Sequence, residues 1–228
     1  LPGKTARGFM PDRLPILYSF RRCPYAMRAR LAIRASGVTC ELREVVLRDK
    51  APEFLAASAK ATVPVLVPPT GAVIEQSLDV MLWALAQNDP KDWLHPQTGT
   101  RAQMMALIRL AEDDFKPNLD RTKYASRYPQ ADRAQARNCA AGFLMDLNAL
   151  LAKHSFLFGN RASLADMAIA PFVRQFASID RPWFDSQPWP ELVEWLDKFL
   201  QSVEFTSVMT KYAKWQAGDP VIVFPERG

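Results

Sequence analysis

Residues 14–37 read LPILYSFRRCPYAMRARLAIRASG, and two periodicities meet inside this stretch. The run LPILYSF is short and apolar and predicts a strand ending near Phe20. Residues 24–36 follow a helical repeat, with Tyr25, Ala29, Ala32, Ile33 and Ser36 on one face and Arg28, Arg30 and Arg34 mostly off it. Pro24 suits the first turn, where its missing N–H costs no bond. Gly37 suits the position just past the last turn, where φ turns positive. Cys23 stands at or just before the first helical residue. There the free backbone N–H groups carry about half a positive charge and favour a thiolate over a thiol. Cysteines so placed have pKa values lowered from about 8.5 to roughly 3.5–7.5. Arg21 and Arg22 add positive potential if they point inward. Cys23 is therefore the candidate nucleophile.

The position three residues on holds Ala26, not a second cysteine, so this motif has no dithiol cycle. A single thiolate must form a mixed disulfide and be released by an external thiol, such as glutathione. Cys40 falls in a strand and Cys139 on an apolar helix face, and both read as structural. Three widely spaced cysteines do not make a disulfide framework, which points to a reducing, cytoplasmic setting.

Downstream, TCELREVVL reads as a second strand and APEFLAAS as a short helix with Pro52 in its first turn. VPVLV and AVIE are two further strands joined by the turn PPTG, and residues 77–87 form a helix. The β-α-β half makes the first two strands parallel neighbours, and the short turn makes the last two an antiparallel hairpin. The rest is helical. Met104, Ile108, Ala111 and Phe115 form one apolar stripe, with Pro117 expected to kink or end that helix. Ala136, Cys139, Phe143, Leu147 and Leu150 form another. Leu192, Leu196 and Phe199 lie on the buried side of a helix opened by Pro190. The fold class is α/β plus all-α. A thioredoxin-like domain over 10–88, with a four-stranded mixed sheet and three helices, precedes a helical bundle domain over 99–228, with a linker at about 89–98. Met10 reads as a natural start, which makes residues 1–9 an appended remnant.

The chain has 228 residues and a net charge of +5, with its lysines and arginines scattered, so no nucleic-acid partner is expected. No apolar run approaches the ~18 residues of a membrane span, so no membrane partner is expected either. The two histidines, His95 and His154, give a zinc or Ser-His-Asp site almost no material, and no metal is expected.

Four motifs, RRCPYAMRARLAI, TVPVLV, EQSLDVMLWAL and SLADMAIAPF, occur in this order over most of residues 14–215. With these spacings the chain resembles the cytosolic glutathione transferases, most of all the cysteine-type omega-like and bacterial groups. The resemblance implies that Val63, ahead of a cis Pro64, pairs its backbone with the cysteinyl part of glutathione, where an ordinary trans proline is the alternative. It implies that Gln76 and Ser77, at a helix start, bind the γ-glutamyl end, with Glu75 able to share the ligand's ammonium. Lys50 occupies the place of a lysine that meets the glycyl carboxylate. Ser163 and Asp166 form an S-x-x-D box that stabilises a helix start and has no catalytic part.

The activity implied is a glutathione-dependent thiol transferase or reductase. Cys23 attacks a disulfide or glutathionylated substrate, and a second glutathione resolves the mixed disulfide. Glutathione is the cosubstrate, a small electrophilic or disulfide compound is the second substrate, and a homodimer is the implied assembly. Two alternatives stay open. One is conjugation through Tyr18 or Ser19, Tyr18 lying on either sheet face. The other is a non-catalytic adaptor that binds a protein.

Overall fold

The computed structural model describes residues 13–226. The expected start at Met10 and remnant at 1–9 lie outside them. The described chain divides into two units, one running to Asn88 and resuming at Thr210, the other spanning Asp89–Met209.

The first unit contains β1 (Ile16–Ser19), α1 (Pro24–Ser36), β2 (Cys40–Glu44), α2 (Pro52–Ala57), β3 (Val65–Val67) and α3 (Ser77–Gln87). Its sheet has the order β3-β1-β2-β4, where β4 is Val223–Phe224. β1 runs parallel to β2, with Leu17 opposite Leu42, and antiparallel to β3, with Leu17 opposite Leu66. The number of strands, their mixed directions and the three helices are those expected from the sequence. Gly37 closes α1 at φ 73° with its N–H on the Arg34 carbonyl. Tyr18, Ala26, Phe54, Val63 and Val65 share one apolar core, against which Cys23 packs.

Three expectations for this unit are corrected. The fourth strand is Val223–Phe224, not AVIE, because residues 72–75 meet β3 at the single bridge Leu66–Ile74. The helical domain accordingly does not run to residue 228, since the tail from Thr210 pairs with β2 and belongs to the sheet unit. Arg28 and Arg30 are buried, at 1% and 0% exposure. The reason is that α1 is covered on both flanks. The start of α3 meets Arg28, while Tyr212 and Phe224 of the tail place their rings 5.8 and 5.9 Å from the Arg30 guanidinium. Arg30 ion-pairs with Glu44 and donates to Ser19 Oγ at 2.7 Å. Burial pulls its pKa below the usual value, and Glu44 pulls it back.

The second unit contains α4 (Arg101–Leu110), a π-helical turn (Ala111–Phe115), α5 (Lys116–Lys123), α6 (Arg133–Leu151), α7 (Leu164–Ala177), α8 (Arg181–Asp185), α9 (Pro190–Gln201) and α10 (Val203–Val208). Residues 89–98 are part of this unit, not a free linker. Trp93 is buried in it, and its carbonyl accepts from the Leu164 N–H at 2.9 Å. The stripe Met104, Ile108, Ala111, Phe115 is buried as expected. Pro117 does not end the helix. The π turn ahead of it lets the chain continue from Lys116 with the proline in a first-turn position, where no N–H is needed. Cys139 is exposed, because α6 rotates Ala140 and Leu144 inward beside Ala136, Phe143 and Leu147. No helix among the described residues is long and apolar enough to cross a membrane.

Candidate active site

A cavity of about 440 Å³ opens in the sheet unit, and Cys23, Lys50, Val63, Pro64, Gln76 and Ser77 all line it. The fold brings them together from four places: the start of α1, the segment before α2, the approach to β3 and the start of α3.

Cys23 is the N-cap of α1, with extended φ and ψ of −77° and 123° and Pro24 behind it. Its N–H donates to the Phe20 carbonyl at 3.0 Å, and its own carbonyl accepts from the Met27 N–H at 2.9 Å. No side chain caps α1. The thiol is half-buried, and its Sγ lies 3.8 Å from the Val63 carbonyl oxygen, long for a hydrogen bond even to sulfur. The Val63–Pro64 peptide is cis. Arg21 and Arg22 are not among the cavity's lining residues. The Arg21 backbone N–H donates to Glu44 at 2.8 Å, and the Arg22 guanidinium lies 5.5 Å from the Phe20 ring.

Gln76 is the N-cap of α3 and Ser77 its first residue, again without a side-chain cap. The Ser77 hydroxyl accepts from Arg28 Nε at 2.9 Å, a buried bond that occupies one lone pair and leaves the O–H able to donate. Sequence reading missed Arg28. Its position off the face of Tyr25, Ala29, Ala32, Ile33 and Ser36 assigns it to the outer side of α1, and only the docking of α3 puts that side inside. Glu75 also lines the cavity, where its Oε1 accepts from Ser58 Oγ at 2.6 Å and Lys60 stands 3.9 Å from its other oxygen.

Tyr18 and Ser19 do not line the cavity. Tyr18 is buried, its hydroxyl accepts from Arg43 at 2.9 Å, and its ring packs on Phe54 and Trp215. Ser19 Oγ is occupied by Arg30. Cys40 is fully buried in β2, and burial pushes its thiol up to about 12. Ser163 and Asp166 form the expected box: Asp166 accepts from the Ser163 N–H and hydroxyl, both at 2.8 Å. It also accepts from the Leu157 N–H and Trp195 Nε1 at 3.0 Å.

A second cavity, about 420 Å³, lies within the helical unit over Trp93, Met167, Trp195 and Phe199, and no cysteine, tyrosine or histidine lines it. Asp89, Asp92 and His95 bring metal-type ligand atoms within 4.8 Å of one another. Their oxygens are already engaged: Asp92 holds Arg161 and His95, and Asp89 accepts from the Trp93 and Leu94 N–H groups.

Two family models match the chain, the glutathione S-transferase N-terminal domain over residues 17–93 and the glutathione S-transferase C-terminal domain over 130–198, together more than half its length. The chain belongs to the glutathione transferase family. Among solved structures of similar fold is a glutathione transferase family member from Pseudomonas fluorescens with two glutathione bound. It is 17% identical, with 90% of this chain and 95% of that one covered, at a TM-score of 0.75. Another is the glutathione transferase URE2P6 from Phanerochaete chrysosporium in complex with oxidized glutathione. It is 18% identical with a TM-score of 0.74, covering 86% and 95% of the two chains. A possible glutathione S-transferase from Rhodopseudomonas palustris is 22% identical, with a TM-score of 0.71 and coverage of 87% and 100%. In this transferase, then, both sheet-unit helices that start at the cavity present uncapped first turns, and a thiol sits at one of them.

Proposed function

We propose that this glutathione transferase is of the cysteine type and works as a glutathione-dependent thiol transferase or reductase. The observation that carries the reading is the place of Cys23, half-buried at the uncapped start of α1 and lining a cavity that also holds Lys50, Val63, Gln76 and Ser77. The aligned peptide dipoles of that helix start favour the thiolate.

In the reaction, the Cys23 thiolate attacks the glutathionyl sulfur of a glutathionylated compound, which a simple disulfide substrate becomes by exchange with one glutathione. A Cys23–glutathionyl disulfide forms, and the other thiol leaves as a thiolate that takes a proton from water. A glutathione thiolate then attacks the glutathionyl sulfur, releasing glutathione disulfide and restoring Cys23. A glutathionylated compound takes one free glutathione and a simple disulfide takes two, and either way the substrate gains two electrons as glutathione disulfide forms. The bound glutathionyl group sets its cysteinyl backbone along Val63, its γ-glutamyl carboxylate at the Ser77 hydroxyl and the α3 N–H groups, and its ammonium at Glu75 and Gln76. Its glycyl carboxylate meets Lys50. Conjugation through Tyr18 or Ser19 fits less well, because both hydroxyls are buried and bonded to arginines. The same reading carries a cytoplasmic homodimer.

Incubation with oxidised glutathione followed by intact-mass measurement and peptide mapping tests it. The expected result is one glutathionyl adduct on Cys23, removed by excess reduced glutathione and lost in Cys23→Ala. An adduct confined to the exposed Cys139, or none at all, overturns the assignment.

A further inference from the structure

The tail that returns to the sheet unit also holds the segment that supplies Leu47 and Lys50 to the thiol cavity. Leu47 and Lys50 line that cavity from the segment after β2, which reverses direction through a turn closed by the Asp49 N–H on the Val46 carbonyl at 2.9 Å. Two adjacent tail residues hold the two feet of this turn. The Trp215 N–H donates to the Glu44 carbonyl at 2.9 Å, just before it, and Lys214 ion-pairs with Asp49, at its end. The two grips differ in strength. Trp215 is buried, with the Arg43 guanidinium 4.1 Å over its ring and the Tyr18 ring edge-on at 6.3 Å. Arg43 and Tyr18 face each other across β2 and β1, so the tryptophan is fastened to the sheet itself. The Lys214–Asp49 pair is a surface contact, with Asp49 67% exposed, and such pairs contribute little.

We propose that Trp215 and Lys214 are positioning residues. They clamp the 44–50 turn and so hold the Lys50 ammonium where it meets the glycyl carboxylate of glutathione. This rests on the reading of the cavity given above. The ligand class it picks out is glutathione with its terminal glycine, as against γ-glutamylcysteine, whose carboxylate falls one residue short of Lys50.

Calorimetry with both thiols tests it. Trp215→Ala is expected to weaken glutathione about tenfold, the size of one charge-assisted contact, and γ-glutamylcysteine less than about twofold. Added to Lys50→Ala it should weaken glutathione no further, since the two act through one contact. Lys214→Asp is expected to cost glutathione about threefold, recovered by adding Asp49→Lys. This swapped pair serves if Trp215→Ala fails to fold. Unchanged glutathione affinity in Trp215→Ala, or equal losses for both thiols, overturns the proposal. If the parent protein takes up no glutathione, the reading of the cavity fails and so does the role given to Lys50. Amide hydrogen exchange without ligand still separates that failure from the clamp itself. Residues 44–50 should exchange at least about tenfold faster in Trp215→Ala, and unchanged protection there overturns the clamp.

Discussion

In the helical unit, Thr100, Asp132, Asp180 and Ser202 each stand at a helix start and accept backbone N–H bonds with a side-chain oxygen, and Ser163 with Asp166 closes a box. In the sheet unit the helices begin at Cys23, Ala51 and Gln76, and none of these side chains caps its helix. A missing cap costs about 0.5–2 kcal/mol. Two of the three bare starts, at Cys23 and at Gln76, open onto the thiol cavity. The helical unit spends its polar side chains on closing helices. The sheet unit starts two helices without a side-chain cap at the cavity lined by Cys23 and Ser77.

The contrast breaks most readily at Asp166. Asp166→Ala leaves four donors unmatched in the interior and is expected to cost about 3 kcal/mol or more, read as a lower urea midpoint. Folded material should keep its Cys23 chemistry. An unchanged midpoint would mean that the box is decoration.

A second measurement sets two thiols of the sheet unit against each other. The folded-state pKa of Cys40, about 12, lies above its unfolded value of about 8.5. The stability tied to this thiol is therefore fully present below about pH 8.5 and is lost as pH climbs toward 12, by about 1.4 kcal/mol per unit. Denaturant titrations at a series of alkaline pH values should show that slope reduced in Cys40→Ala and retained in Cys23→Ala.

The smallest effect sharpens the contrast most directly. Cys23→Ser supplies the oxygen cap that α1 lacks and should raise stability by about 0.5–1 kcal/mol while thiol transfer disappears. Calorimetric melting and a disulfide-reduction assay would read the two sides. A serine variant less stable than the parent would show that the start of α1 is already satisfied in another way.

The site was legible because its chemistry is local. A cysteine before a proline, a proline between valines and a serine opening a helix are short-range signals, and each marks a backbone feature present in the fold. What stayed hidden depends on contacts distant in sequence. Arg28 and Arg30 have the spacing of an outer face, and only α3 and the tail turn that face inward. Residues 72–75 alternate like a strand, yet pair with β3 at one bridge. β4 lies in the run VIVF at 221–224, a strand-like signal that carries no hint of its partner, because β2, at Cys40–Glu44, is far away in sequence. Cys139 sits at the edge of its apolar stripe, where a small rotation of α6 decides between core and solvent.

The late strand has a consequence for biosynthesis. Because β4 covers the open side of β2, the first unit cannot complete its sheet until the ribosome has delivered residue 224, after every helix of the second unit. Until then the Cys40–Leu42 end of β2 lacks its outer partner, an open strand edge of the kind that pairs with other chains.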